Sequence, residues 1–144
     1  NVGAVGPVSD KVDGYQYINA ILPPPTYHTN PQLIGLCVLI PKENLDKIDW
    51  LDSVLPGGDD LDMSIKLQDL GKTLVVSRNT TVLHAYGTTG KRIFGEYWDS
   101  IPYVENINMA LVRKHGLKRY LSFKSGNSMV GAILKDENTT IKTN

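Results

Sequence analysis

Three carboxylates lie close together at Asp59, Asp60 and Asp62, directly after the glycine pair Gly57 and Gly58. The unpaired N–H groups and the positive dipole end at a helix start favour an ionised carboxylate, which can accept a proton. Mutual repulsion among three aspartates is relieved by a cation, or by a ligand that donates hydrogen bonds. A hydrolase, a transferase or a metal site could each use such a cluster. A plain aspartate cap with two solvated neighbours is the alternative.

A histidine follows at the end of a later apolar run, where His84 closes the stretch Thr80-Thr81-Val82-Leu83. An imidazole at a strand end can carry protons or bind a metal, and it can equally be a structural residue held by hydrogen bonds. The glycines at 57 and 58 allow a backbone to approach a ligand closely, although Pro56-Gly57 is also an ordinary turn. Spacing alone leaves both alternatives open.

Composition restricts the class of protein. The chain has 144 residues, of which 41% are apolar and 21% charged, and this predicts one globular domain. Fifteen basic residues balance fifteen acidic ones, so no overall field attracts nucleic acid or an anionic membrane. The single Cys37 excludes an intrachain disulfide and is expected to be buried. The longest apolar run is too short to cross a bilayer and no signal peptide is evident, so we expect a soluble, cytoplasmic protein.

Strands and helices alternate along the chain, which predicts an α/β fold. The strands expected from β-rich or apolar runs are residues 2–8, 33–40, 73–77, 80–84 and 117–122. The runs 73–77 and 80–84 form either a hairpin or one long bent strand. The expected helices are a short one after Pro41, then 60–70, 91–98 and 103–115. Asp59 or Asp60 would cap the second helix. Gly71 and Gly116 would end the second and the last.

Several motifs, taken in order, resemble family 2 glycosyltransferases of the GT-A fold. They are Gly6-Pro7-Val8-Ser9 with Gly14-Tyr15-Gln16, Gly35-Leu36-Cys37-Val38-Leu39-Ile40-Pro41, Gly57-Gly58-Asp59-Asp60-Leu61-Asp62, Gly71-Lys72-Thr73, and Val82-Leu83-His84 with Gly87-Thr88. The resemblance implies that residues 1–134 form the acceptor-side half of such a domain, with a partial GT-A-like mixed sheet flanked by helices. Residues 135–144 would be a polar tail.

The resemblance also implies roles for individual residues. Asp60 corresponds to the family's catalytic base and Asp59 to its acidic neighbour. His84 corresponds to a histidine that in some members ligates Mn²⁺ or Mg²⁺. The positions implied to bind substrate are Gly57, Gly58, Asp62, Lys66, Ser9 and Gln16. Many members have arginine where this chain has Lys66, asparagine where it has Asp10, and His-His where it has His84-Ala85.

The implied reaction is an inverting transfer of a sugar from a nucleotide-sugar donor to a hydroxyl acceptor, which would be a saccharide, a lipid-linked sugar or a protein. The nucleotide-binding half, with its Asp-x-Asp metal motif, is expected ahead of Asn1, so this portion by itself should be inactive. The alternative is a non-catalytic binding or assembly module that pairs an exposed sheet edge with a second copy. A metal-dependent hydrolase is the third candidate.

Overall fold

A computed structural model describes residues 1–12, 16–19 and 27–124. Its strands are β1 (Val2–Ser9), β2 (Tyr27–Thr29) and β3 (Thr73–Val82). Its α-helices are α1 (Lys42–Lys47), α2 (Asp59–Asp69), α3 (Thr88–Phe94) and α4 (Ile101–His115), and a 3₁₀ turn covers Gly95–Tyr97. Residues 117–124 are also helical. The α/β class is confirmed, while Gly14, Tyr15 and the expected tail lie outside the described residues.

The strands form a mixed sheet in the order β1-β3-β2, with β1 parallel and β2 antiparallel to β3. Residues 73–82 are one strand, which decides between the two arrangements left open by the sequence. The register slips within it, because Pro7 pairs with Ser77 and the next residue, Val8, pairs with Thr81. The intervening residues therefore bulge out of the β1 ladder. Since Ser9 pairs with Val82, the carboxyl ends of β1 and β3 lie side by side.

The expected strand at residues 33–40 does not form, and that prediction was wrong. Its first N–H groups donate to side chains instead of to a neighbouring strand. The pairs are Leu33 with Ser64 Oγ (3.3 Å), Ile34 with Gln16 Oε1 (2.7 Å) and Gly35 with Asp60 Oδ2 (3.1 Å). Only Leu39 makes ladder bonds, two of them with Val5. Cys37 is exposed, so the expected buried thiol was wrong as well.

Helix α2 begins and ends within one residue of its predicted bounds, but its cap differs from the expected one. Gly58 occupies the N-cap position in a left-handed conformation, and no side chain caps the helix. Asp59 and Asp60 therefore lie inside the first turn. Glycine suits position 58 because φ there is 72°, a value that residues with a side chain rarely adopt.

Helix α4 starts two residues earlier than predicted. The Ser100 hydroxyl accepts the Tyr103 N–H at 3.3 Å and caps the helix, while Pro102 fits its first turn. Gly116 ends the helix as expected. Helix α3 begins at Thr88, three residues before the predicted start, and gives way to the 3₁₀ turn after Phe94.

The predicted strand at residues 117–122 is helical, which corrects that prediction. Tyr120 and Phe123, three residues apart, are both buried and pack in one cluster with Ile65 and Leu111. A spacing of three places both rings on one helix face, whereas a strand would turn them to opposite faces. The spacing of Tyr120 and Phe123 is the helical signal that this stretch of sequence carries.

Helix α2 contributes to two apolar clusters, and this fixes its position. Met63 and Leu67 pack in a cluster with the strand residues Ala4, Val8, Leu74 and Val76. Ile65 packs in the other cluster, with Leu111 of α4. A helix held on two sides has little freedom to tilt, so its first turn is firmly placed. Within the described part of the chain, no helix is long and apolar enough to cross a membrane.

Candidate functional site

Asp60 lies in the first turn of α2 with a half-buried side chain. Its Oδ2 accepts the Gly35 N–H at 3.1 Å and its Oδ1 accepts the Leu61 N–H at 2.8 Å. Burial raises the pKa of Asp60 above its ordinary value. The Asp59 charge adds to the increase, and the Gly35 N–H opposes it. The net shift is opposite in direction to the effect of a helix dipole alone. Asp60 is therefore a stronger base than a free aspartate.

The two glycines before α2 sit directly on α4. A Cβ on Gly57 would lie 2.8 Å from Tyr103 Oη, and one on Gly58 would lie 2.7 Å from Ile107 Cγ2. These distances are too short for real side chains, so the glycines allow the turn and the helix to approach closely. The structure thus gives Gly57 and Gly58 a packing role. Their expected role in binding substrate stays a prediction.

An aromatic cluster that the sequence reading missed borders this turn. Tyr103 is buried at its centre, with ring centroids 4.8 Å from Trp98, 5.5 Å from Tyr97 and 6.1 Å from Phe94. Burial raises the pKa of Tyr103, and the charges of Asp99 and Asp59 add to the increase. The close approach of Gly57 to Tyr103 Oη places the acidic turn beside these rings. Four aromatic residues within ten positions were the available signal.

Asp62 belongs to a different environment. Its buried carboxylate lies 2.7 Å from His115 Nε2, 3.0 Å from Lys114 Nζ and 3.1 Å from Lys66 Nζ. Burial alone would raise the pKa of Asp62, but the hydrogen bonds from Lys114, His115 and Lys66 outweigh it and hold the pKa below its usual value. Lys114 also pairs with Asp52 at 2.5 Å. Lys114 and His115 thus link α4 to Asp62 on α2.

The predicted substrate-binding role of Asp62 and Lys66 therefore competes with a structural one. Each charge of the pair already faces an opposite charge inside the protein. A buried ion pair that lost one partner would leave an uncompensated charge, which is strongly unfavourable. Asp62 is therefore better suited to holding α2 against α4, with Lys66 as a further partner on α2, than to releasing its partners for a ligand.

Ser9 and Gln16 are both fully buried. The Gln16 amide spans two segments, since its Nε2 donates to the Pro7 carbonyl at 3.2 Å and its Oε1 accepts the Ile34 N–H at 2.7 Å. The Ser9 hydroxyl donates to Asp10 Oδ1 at 3.3 Å. Both side chains thus hold neighbouring backbone and loop groups together. Their predicted contact with substrate stays a prediction.

His84 lies two residues beyond β3, and its backbone N–H donates to Asp10 Oδ1 at 2.9 Å. This bond is the largest reason that the pKa of Asp10 lies below its usual value. The His84 and Tyr86 rings make a T-shaped contact with centroids 5.8 Å apart, and His84 Nδ1 is buried without a hydrogen-bond partner. Among the described residues, no group of three or more His, Cys, Asp or Glu side chains could hold a metal. The role of His84 as a metal ligand stays a prediction.

The site residues thus separate into three places. Asp59 and Asp60 lie with Gly35 and the aromatic cluster, Asp62 pairs with Lys66 within α2 and joins α2 to α4, and His84 stands at the carboxyl ends of β1 and β3. In open α/β sheets, ligands commonly bind beyond the carboxyl ends of the strands. Comparisons of the chain with protein-family models, curated proteins and solved structures found no match. The residues and their geometry therefore carry the functional inference.

Proposed function

We propose that the chain forms the acceptor-side part of an inverting glycosyltransferase. Asp60 takes the proton of an acceptor hydroxyl as that hydroxyl attacks the sugar of a nucleotide-sugar donor. The observation that carries this proposal is the burial of Asp60, which raises the pKa of its carboxyl. A general base is most effective when its pKa approaches the working pH, so the shift is in the useful direction.

The hydrogen bonds of Asp60 also suit a base. Each carboxylate oxygen offers two lone-pair directions, and each accepts one backbone N–H, from Gly35 or from Leu61. Each oxygen therefore keeps one direction for an acceptor hydroxyl. The two backbone hydrogen bonds fix the plane of the carboxylate, so its orientation is set before substrate binds. Both donors are neutral, so the carboxylate keeps its negative charge.

The aromatic cluster supports a saccharide as the acceptor. Phe94 and Tyr97 are 44% and 43% exposed, although they touch the buried Tyr103. Apolar ring surface combined with a few polar groups is the usual lining of a small-ligand site, and sugars present both apolar faces and hydroxyl groups. The acidic turn supplies the polar groups through Asp59 and Asp60.

His84 is the residue of this chain that would help to hold Mn²⁺ or Mg²⁺. Such an ion, when bound, neutralises negative charge that develops on a leaving diphosphate. Because His84 is a single ligand, the remaining ligands and the nucleotide site belong in our proposal to a segment ahead of Asn1. This portion alone is accordingly expected to lack transfer activity.

The test is Asp60→Asn in the complete protein. We expect sugar transfer to fall by about 100-fold or more, because the amide cannot accept the proton, while the melting temperature changes little. The matched control is Asp46→Asn, since Asp46 is a surface aspartate whose carboxylate pairs with Lys42 on α1. Transfer retained in Asp60→Asn would remove Asp60 from the mechanism.

The alternative assembly module is less well supported. It needs a free sheet edge, but the outer edge of β1 already exchanges two hydrogen bonds with Leu39 at Val5 and accepts one from the Ile18 N–H at the Ser9 carbonyl. Among the described strands, the other edge is β2, which is three residues long. So short an edge offers few hydrogen bonds to a second copy.

A further inference from the structure

Ser64 carries a fully buried hydroxyl that has no part in the proposed reaction. It lies one turn after Asp60 on α2, and its Oγ donates to the Asp60 carbonyl at 2.7 Å. The same Oγ accepts the Leu33 N–H at 3.3 Å. One hydroxyl therefore joins the backbone of Asp60 to the segment of residues 33–35, which lies well before the helix in sequence.

The segment of residues 33–35 lies directly against the Asp60 side chain. Gly35 donates its N–H to Asp60 Oδ2 at 3.1 Å, and a Cβ on Gly35 would lie 3.1 Å from Asp60 Cβ. Burial is the main cause of the raised pKa of Asp60, and the Gly35 N–H opposes it. The position of this segment thus affects both the burial of the carboxylate and one of its hydrogen bonds.

Side chains, rather than a neighbouring strand, hold this segment in place. Ser64 accepts the Leu33 N–H, and Gln16 Oε1 accepts the Ile34 N–H at 2.7 Å. Gln16 connects the segment to β1, because its Nε2 donates to the Pro7 carbonyl. Ser64 lies on α2 itself. It is therefore the side chain that fixes the segment relative to the helix that carries Asp60.

We propose that Ser64 is a positioning residue for Asp60, whose hydroxyl holds residues 33–35 against the first turn of α2 and so keeps the Gly35 N–H on the carboxylate. This role rests on the proposed function, because it concerns the base of the transfer reaction. Ser64 itself does not touch substrate, since its hydroxyl is buried and bonds two backbone groups. The titratable groups that interact with Asp60 are Asp59 and, from α4, Tyr103. A substitution of Ser64 leaves both unchanged.

The test is Ser64→Ala, studied by NMR of the whole chain with the Asp60 carboxyl carbon followed through a pH titration. Alanine removes both hydrogen bonds and favours a helix. We expect the Gly35 amide to exchange with solvent about fivefold faster than in wild type. The pKa of Asp60 should fall towards that of a free aspartate, because the added hydration outweighs the weakened Gly35 bond.

The matched control is Asn44→Ala on α1. Asn44 is as buried as Ser64, and its side-chain amide donates to the Gly3 carbonyl at 3.1 Å. Its loss should lower stability without changing the Gly35 exchange rate or the Asp60 titration. The proposal is overturned if the pKa of Asp60 does not fall in Ser64→Ala, or if it falls equally in Asn44→Ala.

The wild-type chain decides the question even if Ser64→Ala fails to fold. Its Leu33 and Gly35 amides should both be protected from exchange, and the Gly35 amide shift should titrate together with the Asp60 carboxyl. Exchange of either amide at the rate of a free peptide would overturn the role of Ser64. A wild-type Asp60 without a raised pKa would contradict the proposed base and this role with it. A raised wild-type pKa that Ser64→Ala leaves unchanged would contradict this role alone.

Discussion

Asp60 and Asp62 lie two residues apart on α2, yet they have opposite surroundings. Asp60 is bound by backbone N–H groups and has a raised pKa, whereas Asp62 is bound by two ammonium groups and an imidazole and has a lowered one. A cationic partner makes a buried carboxylate a fixed charge, while burial with only neutral donors leaves it ready to take a proton. The partners, rather than the residue type, distinguish the structural aspartate from the candidate base.

The largest difference between Asp60 and Asp62 should appear in the free energy of unfolding of their variants. Asp62→Ala leaves Lys114 and Lys66 partly buried without their common partner, so we expect a loss of about 3 kcal/mol in the free energy of unfolding. Asp60→Asn should lose less, about 1 kcal/mol, because the amide oxygen still accepts one of the two backbone N–H groups and only the other loses its acceptor. Urea denaturation measures both. Similar losses in the two variants would show that their environments are not distinct.

A substitution at Gly58, directly before Asp59, tests the packing between the acidic turn and α4. Gly58→Ala should cost about 2 kcal/mol, since it combines a left-handed φ of 72° with a contact of 2.7 Å to Ile107. Gly71→Ala is the matched control, because its φ of 68° is similar and a Cβ there would meet nothing within 4 Å. The difference between the variants measures the contact with α4. Equal losses of stability in the two variants would mean that the left-handed φ alone, without the contact to α4, requires glycine at position 58.

The pH dependence of stability should have opposite signs for the two carboxyls. The lowered pKa of Asp62 gives stability that is present above the ordinary aspartate pKa and is lost as pH falls through the folded value. The raised pKa of Asp60 gives stability that is present at low pH and is lost as pH rises through its folded value. Relative to wild type, Asp60→Asn should therefore gain stability as pH rises, and Asp62→Asn should lose it. Denaturation at a series of pH values checks this, and slopes of the same sign would contradict it.

The smallest expected effect concerns Asp59. This exposed carboxylate raises the pKa of Asp60 through its charge, although less than burial does. Asp59→Asn should therefore move the acid limb of the transfer pH profile slightly downward in the complete protein. The size of the shift should shrink as salt screens the charge. An unchanged limb at low ionic strength would show that burial alone sets the pKa of Asp60.

Local signals predicted α2 and α4 well. Periodic apolar residues, an early proline and closing glycines all lie within or just beyond the elements they define, so the bounds were found to within two residues. Residues 33–40 were misjudged because the acceptors for their N–H groups, Gln16, Ser64 and Asp60, are distant in sequence. An apolar run predicts burial, and the partner of each N–H group depends on tertiary structure.

The candidate site also has a part that the sequence could predict and a part that it could not. The acidic turn could be identified from Gly57 to Asp62, because its residues are adjacent in the chain. The burial of Asp60 involves Gly35, and the partners of Asp62 come from the far end of α4. Neither environment is encoded near the turn. Sequence alone therefore could not tell which aspartate has the raised pKa.

The packing of Gly57 and Gly58 against α4 connects the position of that helix with the proton affinity of Asp60. Tyr103 and Ile107 lie against Gly57 and Gly58, and Asp59 and Asp60 directly follow these two glycines. A displacement of α4 away from the turn would hydrate Asp60 and lower its affinity for a proton, since burial is the main cause of its raised pKa. The position of α4 would thus affect the pKa of Asp60 in the first turn of α2.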